Sequence, residues 1–238
     1  MVWSLVMAMV ISASPLVKLT KGAFVGAFNT EGQPISVTAP LEGKWVSKEQ
    51  VQREILFRNL KLPLNSAQMA EVAKGLDADF AADVLVSVSK IRQRYHLLAV
   101  LRCVSAYFGT IVHIDQEQSV LSNLDQIASV VDKLAQSMLS RIPNQISLAT
   151  VQLREGERRV HLTATSGQWK RGLKVIFIKE SSGQITLVGE GQIVSASLLA
   201  GSNKWLLEAD LKDKKLDIRT GDKAIQVFKL PKPFEKWQ

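Results

Sequence analysis

Apolar residues change their spacing along this chain, from buried runs and helical stripes in the first part to short two-residue alternation after Pro143. Gly22 to Phe28, GAFVGAF, is an apolar run between Lys21 and a polar, turn-rich stretch, which predicts a buried strand. Residues 29–46 hold Gly32, Pro34, Pro40 and Gly43 and read as loop. Ser47 then opens a helix, because Gln50 lies three residues on and the two can satisfy each other's backbone donors as a capping box. Val51, Ile55 and Leu56 recur within it at helical spacing. Leu60 to Leu64 contains a proline and reads as a connector or an edge strand. Asn65 or Ser66 caps a second helix, with Met69, Val72, Ala73 and Leu76 on one face.

Three strand-like runs follow, Asp83 to Lys90, Tyr95 to Val104 and Tyr107 to Ile114. Tight links at residues 92–94 and around Gly109 suit an antiparallel meander. In the first run Val84, Val86 and Val88 share one face while Leu85, Ser87 and Ser89 share the other. The second is apolar on both faces, as a central strand covered by helices would be. Asn123 and Gln126 form another capping pair, and Leu124, Ile127, Ala128, Val131, Leu134, Ala135 and Met138 line one helical face until Pro143 ends it. Beyond that point five short alternating runs, separated by Gly, Ser, Asn and Asp turns, predict a small β-barrel or sandwich.

Charge sharpens this division. The chain carries 30 Lys+Arg and 22 Asp+Glu, a net of +8. Residues 1–150 hold 14 Lys+Arg against 12 Asp+Glu, a net of +2; residues 151–238 hold 16 against 10, a net of +6. A basic second half points to an anionic neighbour, such as lipid head groups, an acidic polymer, nucleic acid or an acidic protein face. The first 17 residues are uncharged, and the apolar stretch Leu5 to Ile11 followed by Ser12, Ala13 and Ser14 has the outline of a secretory signal. No Lys or Arg precedes that stretch, and Pro15 falls just after a cut at Ser14. The single cysteine, Cys103, lies in an apolar run and reads as a buried small hydrophobe, so neither a disulfide within the chain nor a cysteine metal site is expected.

Candidate chemistry is thin. His113 and Asp115 are two apart on a strand and share a face, which is half of an acid–base or metal site without a third member. His96 and His161 stand beside basic residues. Asp77, Asp79 and Asp83 make an acidic cluster after the second helix without a calcium-loop pattern. Gly189 and Gly191 lack the third glycine, the helix and the Lys-Ser/Thr pair of phosphate-binding loops. Four basic clusters remain: Arg92 and Arg94; Arg154, Arg158 and Arg159; Lys170, Arg171 and Lys174 around Trp169 and Gly172; and Lys212, Lys214 and Lys215. Only the third joins charge with an aromatic, the combination used for single-stranded nucleic acid.

The order of elements carries a resemblance. The helix SAQMAEVAKGLDAD runs into the strand DVLVSVSKI, then YHLLAVLRCV, a turn, GTIVHI and a long amphipathic helix. This resembles the α/β domain of envelope proteins related to the curli-secretion lipoprotein, the TolB amino-terminal domain and flagellar-assembly lipoproteins. Leu76, Ala78, Asp79 and Val86 match; Ser87 stands where glycine is frequent, and Phe80 to Ala82 looks inserted. The second half resembles the small barrel that closes flagellar-assembly T-type proteins, through residues 166–180, Gly191 to Val194, and the Gly221–Asp222 turn.

The expected fold class is therefore α+β. A possible signal or hydrophobic segment spans residues 1–20, an α/β domain with a mixed sheet and flanking helices 21–145, and a small SH3-like β-barrel 146–238. The resemblance implies a periplasmic or outer-membrane-associated accessory protein acting by partner binding, with no catalytic set, cofactor or metal to transfer. The expected contact, with an envelope protein or anionic surface, uses Trp169, Lys170, Arg171 and Lys174. The alternatives are a nucleic-acid-binding barrel and an enzyme around His113 and Asp115.

Overall fold

The computed structural model describes residues 17–38, 43–181 and 184–238. The signal-like stretch thus lies almost wholly outside the described residues. The first unit is a five-stranded mixed sheet in the order β2-β1-β3-β4-β5. Its strands are β1 (Gly22–Asn29), β2 (Pro34–Ile35), β3 (Phe80–Ile91), β4 (Arg94–Ser105) and β5 (Ile111–Leu121). Only β1 and β3 run parallel. The crossover between them carries α1 (Lys48–Phe57) and α2 (Ser66–Gly75), as a parallel connection demands.

Both helices start where the sequence says. Ser47 with Gln50, and Asn65 with Gln68, form reciprocal capping boxes, which satisfy otherwise orphaned backbone donors at each helix start. Helix α3 (Ile127–Ser140) differs. Residues Leu124–Gln126 form a 3₁₀ turn, the Asn123 side chain accepts from the Asp125 N–H, and Gln126 makes no side-chain cap. In the tighter turn the donor to the Asn123 side chain is the Asp125 N–H rather than that of Gln126, so the Asn123–Gln126 pair does not form.

The central strands are covered on both faces. Val84, Val86, Ala99, Leu101 and Cys103 pack with Val131, Ala135 and Met138 of α3 on one side. Leu85, Val100 and Val104 pack with Val51, Met69 and Val72 of α1 and α2 on the other. Two boundaries correct the sequence reading. Strand β3 begins at Phe80 rather than Asp83, with Phe80 to Ala82 in register with Gly22 to Phe24. Strand β5 begins only at Ile111, after a turn in which Gly109 takes φ +65°, and then continues through polar Asp115 to Ser119. An edge strand with one wet side tolerates that polarity.

The second unit is a closed antiparallel barrel in the order β10-β7-β6-β11-β8-β9. Its strands are β6 (Leu148–Glu155), β7 (Arg159–Ala164), β8 (Lys174–Ser181), β9 (Gln184–Leu198), β10 (Trp205–Leu211) and β11 (Lys223–Val227). Five match the predicted runs and β6 is additional, its outer face being polar enough to look like loop. Gly191 has a packing role: a Cβ there would lie 2.8 Å from the Asp210 carbonyl oxygen and 2.9 Å from the Phe177 ring. That close approach, not phosphate binding, accounts for glycine at this position.

The two units share contacts. Ile178, Ile185 and Ile225 of the barrel join the core beneath α3, and the Tyr107 hydroxyl donates to the Ile185 carbonyl at 2.7 Å. After β11 the chain returns to the first unit, where Leu230, Phe234 and Trp237 pack against the α1–α2 face. Lys232–Trp237 is a 3₁₀ helix.

Candidate functional site

Each candidate cluster can now be placed. The three aspartates part company. Asp77 is exposed beside Lys21, while one oxygen of Asp79 accepts from the Thr20 and Lys21 N–H groups at 2.8 and 2.9 Å. Asp83 is fully buried and forms a two-pronged ion pair with equally buried Arg102, at 2.7 and 2.8 Å. Arg102 also donates to the carbonyls of Leu64 and Trp237. It therefore ties β3, β4, the entry to α2 and the returning carboxyl-terminal segment together. Four of its five N–H donors are engaged in this way, so the role is architectural.

His113 and Asp115 do not form an acid–base couple. The Asp115 carboxylate is held by the Arg141 guanidinium at 2.8 Å, with Glu117 on the same arginine. The His113 Nε2 is buried and has no hydrogen-bond partner among the described residues. Burial pushes the His113 pKa below its ordinary value, against a smaller opposing pull from Asp115. Cys103 is buried, and desolvation drives its thiol pKa well upward, which removes it as a nucleophile. Among the described residues no group of three His, Cys, Asp or Glu could hold a metal ion.

The basic clusters separate by their partners. Arg154 donates to three carbonyls, those of Leu216, Glu157 and Lys214. Arg159 pairs with Asp210 and Glu208, Lys212 with Glu190, and Lys214 with Glu157. Lys170, Arg171 and Lys174 are exposed and enter no ion pair among the described residues. From Arg158 to Lys179 there is no Asp or Glu, and Asp115, which lines the same cleft as Lys170, is paired with Arg141. Arg92 and Arg94 are likewise unpaired, on the β3–β4 hairpin, away from the end of the sheet that meets the barrel.

Trp169 behaves differently from its neighbours. It is only 3% exposed, sits in the barrel core and donates its indole N–H to the Ser166 carbonyl at 2.7 Å. The expected surface pairing of an aromatic ring with cations is therefore absent. A ring in this position holds the turn's shape and offers no face for stacking bases, which removes the feature that favoured a single-stranded nucleic acid ligand. Of the three cations Lys170 lines a cleft of about 930 Å³ between β5 and the barrel, whose walls also include His113, Asp115, Arg141, Trp205 and Gln226.

Sequence reasoning passed over a neighbouring feature, the tip of the β9–β10 hairpin. Leu198, Leu199 and Leu206 are exposed there, around Lys204. The signal was adjacent leucines running straight into the turn residues Ala200 to Asn203.

No family model matches the chain, and no curated protein does. Among solved structures it is similar to the LpoB C-terminal domain from Salmonella enterica, at 12% identity over 45% of this chain and 87% of that one, with a TM-score of 0.29. The LpoB C-terminal domain from Escherichia coli gives 13% identity over 46% and 88%, with a TM-score of 0.29. TolB from Acinetobacter baumannii gives 11% identity over 84% of this chain and 61% of that one, with a TM-score of 0.26.

Proposed function

We propose that this chain is a non-enzymatic accessory protein of the bacterial cell envelope, which acts by binding. The barrel's basic turn meets an anionic envelope surface, and the α/β unit supplies a second face for a protein partner. The observation that carries this reading is the clustering of Lys170, Arg171 and Lys174 on one turn, where all three face water and enter no ion pair among the described residues, while Arg159, Lys212 and Lys214 are paired. Unpaired cations concentrated at one end of a domain create the local field that attracts an anionic surface. The envelope setting is supported by the resemblance of the α2–β3 joint, Leu76, Ala78 and Asp79, to TolB-type and curli-secretion domains. In this chain Asp79 anchors the entry to β1 through Thr20 and Lys21.

Fractionation of bacterial cells expressing the full chain tests the proposal. The protein is expected in the envelope fraction and is expected to wash off as salt is raised, since exposed charges are screened within about 10 Å at 0.1 M salt. A protein found wholly in the cytoplasmic fraction would sink the reading.

A further inference from the structure

The β9–β10 hairpin ends in a tight turn rather than a loose loop. The Leu199 N–H donates to the Lys204 carbonyl at 2.9 Å, the Ser202 N–H donates back to the Leu199 carbonyl at 3.1 Å, and Gly201 takes φ +74°. On this closed turn Leu198 is 54% exposed, Leu199 40% and Leu206 43%. Between Gly191 and Leu207 there is no Asp or Glu, and Lys204 is the lone charge. An apolar tip with a single cation is unusual on a barrel whose other turns, such as Lys212 to Lys215, are densely charged.

Strand pairing fixes where the tip points. Trp205, the first residue of β10, pairs with Ala164, the last residue of β7 before the basic turn. The hairpin tip and the turn bearing Lys170 and Arg171 therefore leave the barrel at the same end. Trp205 is half-buried, packs on the barrel core and lines the cleft together with Lys170. One end of the barrel thus presents three exposed leucines flanked by Lys204, Lys170 and Arg171.

We infer that this end is a bilayer contact. The leucines of the β9–β10 tip enter the boundary between head groups and acyl chains, and Lys204, Lys170 and Arg171 take anionic lipid phosphates. The inference rests on the reading of the basic turn given above and narrows its anionic surface to a lipid one. Charge complementarity selects the occupant: interfacial binding grows with buried apolar area plus attraction to anionic lipid, and both contributions converge here. A soluble polyanion would engage the cations and leave the leucines in water.

The test is sedimentation of the full chain with vesicles of phosphatidylcholine and phosphatidylglycerol, beside phosphatidylcholine alone and soluble polyphosphate. The wild type is expected to bind the mixed vesicles most strongly. Leu198→Ser with Leu199→Ser should weaken vesicle binding at least about tenfold and leave polyphosphate binding unchanged, since the apolar contribution alone is removed. Lys170→Gln with Arg171→Gln should weaken both. These exposed positions should leave the melting midpoint near that of the wild type, so loss of binding is separable from loss of fold. If the leucine variant binds vesicles like the wild type while the cation variant does not, the bilayer contact is wrong and the basic-turn reading survives. If the cation variant binds everything like the wild type, the basic-turn reading itself falls. A wild type that dimerises through the leucines, with the variant monomeric, would assign the tip to a second copy and overturn the bilayer contact.

Discussion

Arg102 and Asp83 illustrate how much a single pair can determine. A lone arginine in the apolar run LLAVLRCV was visible in the sequence, but its partner was read as one of three clustered aspartates. Pairing across strands is a tertiary fact, set by the Asp83–Arg102 register of β3 and β4, and no local spacing encodes it. Removing one member leaves the other charged and dry, so Asp83→Asn is expected to cost about 3–5 kcal/mol in urea unfolding. An unchanged midpoint would contradict the clamp. His113 gives a second expectation. Its folded pKa lies below the ordinary 6.5 because of burial, with Asp115 opposing and Lys44 and Arg141 assisting. As pH falls through the unfolded value, the unfolded chain takes up a proton that folded His113 resists, so stability declines on acidification. Above about pH 7.5 both states are neutral and the effect vanishes. His113→Phe should flatten that part of the pH profile of the melting midpoint.

At the scale of elements, local chemistry was legible and edges were not. The two capping boxes were written in Ser47/Gln50 and Asn65, and both helices begin there. Strands β5 and β6 were misjudged because one face of each is polar and their pairing, not their alternation, defines them. The basic turn was legible as a cluster, but the direction of Trp169 was not, since burial of one ring among four polar neighbours depends on the barrel closing over it. Trp169→Ala is accordingly a core truncation, expected to destabilise by about 3–5 kcal/mol. Lys170→Gln should stay within about 0.5 kcal/mol of the wild type. Equal effects of the two substitutions would mean that the ring is not packed. Ending the chain after Val227 should also destabilise the first unit, because Leu230, Phe234 and Trp237 leave its core and Arg102 loses the Trp237 carbonyl. Faster amide exchange in α1 and α2 than in the barrel would be the readout.

For the molecule as a whole, the two-part order of a mixed sheet followed by a small barrel was legible from the change of period after Pro143. The interlock was not. The returning segment 228–238 carries a short apolar pattern that belongs to the first unit's core, and only the three-dimensional path reveals it. The central claim is that Lys170, Arg171 and Lys174 act as a binding site rather than as bulk charge. Its most direct test is binding of the full chain to isolated envelope fragments across a salt titration, for the wild type, for a Lys170→Gln, Arg171→Gln, Lys174→Gln variant and for an Arg92→Gln, Arg94→Gln control. The account predicts that the triple variant binds at least about tenfold more weakly and with a shallower salt dependence, while the control matches the wild type. A triple variant indistinguishable from the wild type, or a control equally impaired, would contradict it.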